Sequence, residues 1–450
     1  MSGVGSAEPH RSAGPGSAGA GASEHLLAAW AAGVRWGDVP DATQATVEDI
    51  FLDAIASGLA GRDRDLVARV TPAARSFAAD SHAADTFLYA YAITSATVCD
   101  VYRPGLCHVT PVVLPPLAAL AGELESSREE VLAAFTVGLE VTVRLSAGLG
   151  YPRLRANGWH SPGVIGPVGA AAAAAHLLGL GAIGIANAMA HGSAQAAGTF
   201  ASLGTEAVKF NQARGSVSGL LAALMAQAGV SASDRWLSDP DGGLAHSYAG
   251  GALLPGLTDK LGERWELEDI SLRCWPAASS VQSLIEVMLE LDVAADDVSA
   301  VLIELGAAAY EVSGERGWYD QLSAQQSARW VTSAVLHDRD WWLEQSSSER
   351  IADLRLGSFA AERVRVSAAA DLGHAGVRVR VDLHDGHELG GTRQSALGDP
   401  DRPLTRTQIE QKLRRAASAD VADEAIARLS NDERGPIAPL FRLVRPGAPA

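Results

Sequence analysis

The spacing of apolar residues changes character near Trp265, and that change restricts the chain to two kinds of building material. From about residue 25 up to that point the period is helical almost throughout. Val47, Phe51, Ile55 and Leu59 recur every fourth position, which lays one apolar stripe along a helix stopping at Gly61. Ser127 with Glu130 three residues on is a capping-box pattern and predicts a helix from there to about Ala147. Residues 170–178, 183–197 and 216–228 read as helices rich in Ala and Gly, whose small side chains let helix axes approach closely. Beyond Trp265 the period falls to two: Val301, Ile303 and Leu305 alternate, as do Val364 and Val366, and Val377, Val379, Val381 and Leu383. Asp385 and Gly386 supply a hairpin turn after the last of these. Helical stretches near 279–292 and 322–337 lie between the strands, so the second unit is expected to be α+β with a largely antiparallel sheet.

A chain of 450 residues exceeds what one core organises, so two domains are expected. The fold class is mainly α with an α+β second domain: a tail at 1–24, an all-helical domain at 25–266, and a smaller α/β domain at 267–400. The break at 398–403, rich in Asp, Pro and Gly, precedes helices at 401–440 that return to the helical domain, with a tail at 441–450.

The net charge of −17 argues against nucleic acid or an anionic membrane as partner, because the phosphate field repels such a surface. A small anionic substrate stays open, since a few cations suffice in one cleft. Three cysteines (Cys99, Cys107, Cys274) fit a reducing, cytoplasmic setting and exclude a disulfide scaffold. Residues 1–24 lack an apolar h-region and read as a Gly/Ala/Ser-rich tail. Residues 163–190 are small and apolar enough to suggest a membrane span, but His176, Gly179 and Gly181 interrupt them, so two buried helices are expected.

Gly179, Gly181 and Gly184 match a dinucleotide fingerprint letter for letter, yet an Ala-rich helix rather than a strand precedes them, and a helix–helix corner is expected. Cys107 and His108 lack the further ligands of a zinc site, and no nucleophile elbow or phosphate loop occurs. Metal and organic cofactors are therefore expected to be absent, with activity surviving chelation. Three polar residues stand out in Gly/Pro-rich or apolar loops before helices: His108 ahead of 114–124, His160 ahead of the Ala-rich helix, and Lys209 ahead of the next one. Each places a proton-transfer group or a cation where backbone N–H groups also favour anions. Taken singly, each has an ordinary structural explanation; together they read as one site.

The same stretches carry a resemblance to the MmgE/PrpD family, which includes 2-methylcitrate dehydratase, cis-aconitate decarboxylase and iminodisuccinate epimerase. It extends over about residues 40–430. The segments are Phe51 to Gly61, Leu117 to Glu123, Gly138 to Arg144, Gly158-Trp-His-Ser-Pro-Gly163, Lys209 followed by the 219–226 run, and Gly398-Asp-Pro400 leading to Lys412. The resemblance implies an all-helical larger domain, a smaller α/β lid, a homodimer and catalysis without cofactor. It implies that His160 is the general acid/base, that Lys209 and His108 hold carboxylates or the departing group, and that Asp100 belongs to an acidic cluster ahead of His108.

This chain also departs from the family's pattern. Only Asp100 remains of an acidic run, with Tyr102 beside it. A lid segment usually carrying a lysine and a histidine appears as Arg273-Cys-Trp-Pro276 through Gln282 without histidine; Trp330 stands for a tyrosine, Gln212 for a histidine and Arg214 for a glycine. Asp100, Tyr102, Arg273, Gln282, Trp330, Gln212 and Arg214 are thus the expected substrate-contacting set, with aromatic walls. The leading expectation is a cofactor-independent lyase acting on a carboxylated small molecule by His/Lys acid–base chemistry. Its substrate should carry fewer carboxylates and more apolar bulk than cis-aconitate or 2-methylcitrate. An isomerase or epimerase on the same scaffold, and a non-catalytic ligand-binding homologue, are the alternatives.

Overall fold

The computed structural model describes residues 22–78, 81–251, 253, 256–430 and 435–446. Most of the expected N-terminal tail lies outside these residues, but its last three positions already belong to helix α1 (Ala22–Gly33). The C-terminal tail also begins later than expected, because 441–444 complete the helix Ala438–Val444.

Nine further helices build the first part of the chain: α2 (Asp41–Arg62), α3 (Asp65–Phe77), α4 (His82–Ser95), α5 (Thr110–Leu120), α6 (Arg128–Leu149), α7 (Tyr151–Ala156), α8 (Ser161–Leu177), α9 (Gly181–Ser193) and α10 (Ala207–Gln227). The capping box forms as the sequence predicts, with Ser127 and Glu130 satisfying each other's backbone N–H groups at the start of α6. α2, α5, α6 and α8 are buried on nearly every face, so their apolar residues run all round instead of forming one stripe. Close approach is built from glycine: a Cβ on Gly169 of α8 would overlap the Thr142 hydroxyl of α6, and one on Gly219 of α10 would overlap Ala170 of α8. α6 is the one described helix long and apolar enough to cross a membrane, and 94% of its apolar window is buried inside the fold. The expected corner between two helices forms at Gly179 and Gly181, both with positive φ, and a helix leads into it where a nucleotide loop would need a strand.

After α10 the chain crosses back over the bundle. Arg144 of α6, fully buried, pairs with Glu140 at 2.6 Å and donates to the carbonyls of Gly256, Asp259 and Arg264. Strand β1 (Val101–Tyr102) pairs antiparallel with β2 (Ile270–Ser271). Leu267, Ile270 and Leu272 therefore belong to the helical core, and the second core starts only at Ala277. That second core lies under a four-stranded sheet in the order β4 (Val364–Ala369), β3 (Val298–Gly306), β5 (Val377–Leu383), β6 (Glu388–Arg393). β3 runs parallel to β4 and antiparallel to β5, so the sheet is mixed, with one pair departing from the antiparallel expectation. The reason is the helix Leu354–Glu362, which enters β4 from the end that makes it parallel to β3. Asp385 and Gly386 (φ +89°) form the β5–β6 turn.

The chain then returns. Arg406–Ala416 packs on α2, where the ammonium of Lys412 bonds to Asp53 Oδ1 at 2.6 Å and to the carbonyls of Val98 and Arg273 at 2.7 and 2.9 Å. One buried cation thus ties the C-terminal helix to both segments that lead into the cleft.

Candidate active site

Three helices direct their N-termini at one cleft beneath the sheet domain. His108 precedes α5 by two residues, and His160 is the N-cap residue of α8. Lys209 sits inside the first turn of α10, because that helix begins at Ala207 rather than after Gly215. The starts of α8 and α10 give the cleft a positive backbone field, whereas the N–H groups at the start of α5 are taken by the Asp100 carboxylate. Its lining brings together His108, His160, Lys209, Gln212 and Arg273, with Val101, Leu106, Phe200 and Leu203 as apolar wall. Among the described residues no Asp or Glu lines it, in a chain of net charge −17.

The protonation states follow from the surroundings. Asp100 is buried beneath the cleft, where its carboxylate accepts from the backbone N–H groups of Val109 (2.8 Å) and Thr110 (3.0 Å) and from the Thr110 hydroxyl. Its backbone carbonyl lies 2.6 Å from His108 Nδ1. A carbonyl only accepts, so Nδ1 carries the proton and Nε2 is left as the basic nitrogen. Burial, then the Arg273 charge, hold His108 well below the usual imidazole range. Burial, then Lys209, lower His160 to about 4. Lys209 is lowered to about 8 by burial, with Arg273 adding to the effect, and its Nζ donates to Thr97 Oγ1 at 3.3 Å. At neutral pH the cleft therefore holds neutral imidazoles beside cationic Lys209 and Arg273. The Arg273 guanidinium donates to the carbonyls of Cys99 and Ala277, which fix its plane.

Thr97 and Leu106, both lining the cleft, take positive φ values of 59° and 41°. Such backbone strain in residues other than glycine concentrates at functional sites.

Several expected contacts lie elsewhere. In the two-residue strand β1 side chains alternate, so Val101 faces the cleft and Tyr102 is buried in the helical core. Trp330 is 0% exposed in the core of the sheet domain, stacked on Trp318, with Nε1 donating to the Gln345 carbonyl at 2.9 Å. The expectation of Tyr102 and Trp330 as cleft walls is thereby corrected: both are core aromatics. Gln282 folds back on Trp275 and Ala277 and shapes the turn after Arg273. Arg214 clasps the carbonyls of Gly163, Gln195 and Ala197 and braces α10 against α8. Asp100 caps α5 and orients His108 without facing the cleft. Gln212 faces the cleft, and its Oε1 accepts from Thr94. Several polar lining residues escaped sequence reasoning, among them Thr97, Tyr151, Gln326 and His374. The signal for His374 was a lone histidine in the Gly-rich stretch Leu372-Gly-His-Ala-Gly376 between two alternating segments. Among the described residues no group of three or more His, Cys, Asp or Glu side chains is arranged to hold a metal ion.

The architecture is a helical bundle that presents bases and cations at converging helix ends, under a smaller mixed-sheet domain. The chain belongs to the MmgE/PrpD family: the family's N-terminal domain matches residues 25–254 and its C-terminal domain residues 274–432. It is similar to the cis-aconitate decarboxylase-like protein oryM of Aspergillus oryzae, at 24% identity over 448 residues that cover 90% of this chain and 92% of the relative. It is similar to cis-aconitate decarboxylase of Aspergillus terreus at 24% identity, covering 78% of this chain and 79% of the relative. It is similar to the human cis-aconitate decarboxylase at 30% identity over 199 residues, 42% of this chain and 40% of the relative. At family level the functional class is that of a lyase-type enzyme.

Proposed function

We propose that this protein is a cofactor-independent lyase that removes water or carbon dioxide from a small carboxylated molecule. The observation that carries the reading is the meeting of buried His160 and Lys209 in one cleft that no acidic side chain lines among the described residues. A substrate carboxylate is held by Arg273 and the helix N-termini, which supply charge that water no longer can. In water loss, His160 takes the proton from the carbon next to the carboxylate, and the electron pair forms the new double bond. The carbon–oxygen bond breaks, and Lys209 protonates the departing hydroxyl. In loss of carbon dioxide, the electron pair of the broken carbon–carbon bond passes into the substrate, and Lys209 returns a proton to carbon. His108, with its free Nε2, accepts a hydrogen bond from a substrate hydroxyl. This revises its expected part as a stabiliser of negative charge, because neutral Nε2 has no proton to donate.

Two cations set the substrate class. A tricarboxylate would leave charge uncompensated on burial, which costs several kcal/mol, whereas a mono- or dicarboxylate matches Arg273 and Lys209. Val101, Leu106, Phe200 and Leu203 accommodate an apolar portion, the part first assigned to Tyr102 and Trp330. The three free cysteines are in keeping with a reducing, cytoplasmic setting. Exposed Ile183, Leu221 and Met225 support a homodimer, testable by light scattering.

Proton NMR of 2-methylcitrate, cis-aconitate and iminodisuccinate incubated with the protein in deuterated water tests the reading. Slow loss of water or carbon dioxide from any of them supports it. Deuterium exchange without turnover makes the protein an isomerase, and silence toward these and simpler dicarboxylates contradicts it. For the two named tricarboxylates kcat/KM is expected below about 10⁴ M⁻¹s⁻¹, the low end of ordinary enzymes.

A further inference from the structure

Across the cleft from His160 and Lys209, the sheet domain contributes a histidine whose Nε2 is buried and has no hydrogen-bond partner among the described residues: His374. We infer that His374 determines specificity, hydrogen-bonding through Nε2 to a polar group at the end of the substrate away from Lys209; this rests on the carboxylate reading above.

The turn that bears His374 is built to hold the ring in place. Gly376 N donates to the Gly373 carbonyl at 3.0 Å, closing the turn between β4 and β5. Ser283 Oγ donates to the Ala375 carbonyl at 2.6 Å and fastens the next residue to the helix Gln282–Glu290. Gly306, at the end of β3, has no room for a side chain because the Gly373 carbonyl sits against it. The backbone on either side of the imidazole is therefore fixed before any ligand arrives, which lowers the entropic cost of a hydrogen bond to it.

His374 also lies in a different electrostatic setting from the other two histidines. His160 and His108 feel Lys209, whereas the charges nearest His374 are Arg103 and Asp399. These two form a largely buried pair at 2.6 Å, and Arg103 also reaches the Ser279 carbonyl at the cleft edge. The cleft thus has a catalytic end with Lys209 and a recognition end with His374. Burial, followed by the Arg103 charge, lowers His374 to about 4, so the neutral ring offers Nε2 as donor or acceptor to a hydroxyl, carbonyl or carboxylate.

An unmatched buried nitrogen destabilises the empty protein, and a structural histidine would do the opposite. The test is therefore made on the full chain with His374→Leu and His374→Asn, in two arms. In the first, the melting temperature of unliganded His374→Leu equals or exceeds that of the wild type; a fall of several degrees overturns the inference. In the second, cis-aconitate is the probe, by calorimetry and steady-state kinetics. His374→Leu weakens its binding and raises KM about 10-fold or more, kcat stays within about threefold, and His374→Asn recovers part of the loss. Unchanged binding, or a kcat collapse at constant KM, overturns the assignment. Where the wild type binds only a simpler dicarboxylate, that compound takes the place of cis-aconitate; if it binds neither, that result counts against the functional reading, and the first arm decides this one.

Discussion

The Nδ1 atom of His108 lies 2.6 Å from the backbone carbonyl oxygen of Asp100, and this contact settles which nitrogen of His108 can act on a ligand. Asp100 serves His108 through its main chain while its carboxylate caps α5, so one residue fixes both the ring and the helix behind it. Asp100→Asn replaces one acceptor oxygen by a donor that faces the N–H groups of Val109 and Thr110. We expect a loss of about 1–3 kcal/mol in stability by denaturant titration, and a fall in kcat through the displaced His108. A variant of wild-type stability and kcat would show that the cap does not position the ring.

The pH profile follows from two groups. His160, lowered to about 4, is neutral and able to accept a proton above that pH; Lys209, lowered to about 8, is protonated below that pH. The profile of kcat/KM is therefore expected to be a bell, rising through about 4 and falling through about 8. Arginine does not deprotonate in this range, so Lys209→Arg removes the alkaline fall from whatever activity it retains. An alkaline limb that stays near pH 8 in that variant assigns it to another group.

Lys209 is buried with its charge and its pKa lies below the ordinary lysine value, so the folded state disfavours the ammonium at neutral pH. Lys209→Met should abolish turnover and stabilise the protein by roughly 1–3 kcal/mol, the order implied by a shift of this kind. Thermal denaturation of the variant checks it; a destabilised Lys209→Met would show the ammonium to be structural.

How far the sequence reveals this site depends on what fixes each side chain. His108 and His160 were legible because their helix starts are written locally, in Pro111 and Pro162, whereas the start of α10 was expected after Gly215 and Lys209 lies inside its first turn. The two cores were legible because a period near four and a period of two cannot share one element. Side-chain direction was not: Tyr102 and Val101 differ by one position in a short strand whose register is set by residues 270–271, far along the chain. Trp330 lies on a helix whose apolar face turns into the sheet domain, a choice made by packing against Trp318. His374 comes from a turn some hundred residues after Arg273, and nothing local marks which turns of a sheet meet the bundle.

The core placement of Tyr102 and Trp330 has its own test. Tyr102→Phe and Trp330→Phe should leave kcat/KM within about threefold of wild type, while Trp330→Phe lowers stability by about 1–3 kcal/mol through lost volume and the lost Gln345 hydrogen bond. A tenfold change in KM from either would return that ring to the cleft.

Lys412 shows how the C-terminal return supports the site. Removing its ammonium leaves Asp53, 0% exposed, without its cation and frees the carbonyl of Arg273. Lys412→Met is expected to cost about 3–5 kcal/mol in denaturant titration, and adding Asp53→Leu should recover much of it. A single variant of wild-type stability would show that the pair does not hold the two segments together.

In the proposed reaction His160 moves a proton on a carbon next to a carboxylate held by Arg273 and the helix N-termini. Deuterium incorporation at that carbon, followed by proton NMR with cis-aconitate and simpler dicarboxylates, measures it directly for wild type and His160→Asn. Incorporation by the wild type and a loss of about 10²-fold or more in the variant are expected, the usual weight of a positioned acid/base. Incorporation at the wild-type rate in His160→Asn would contradict it.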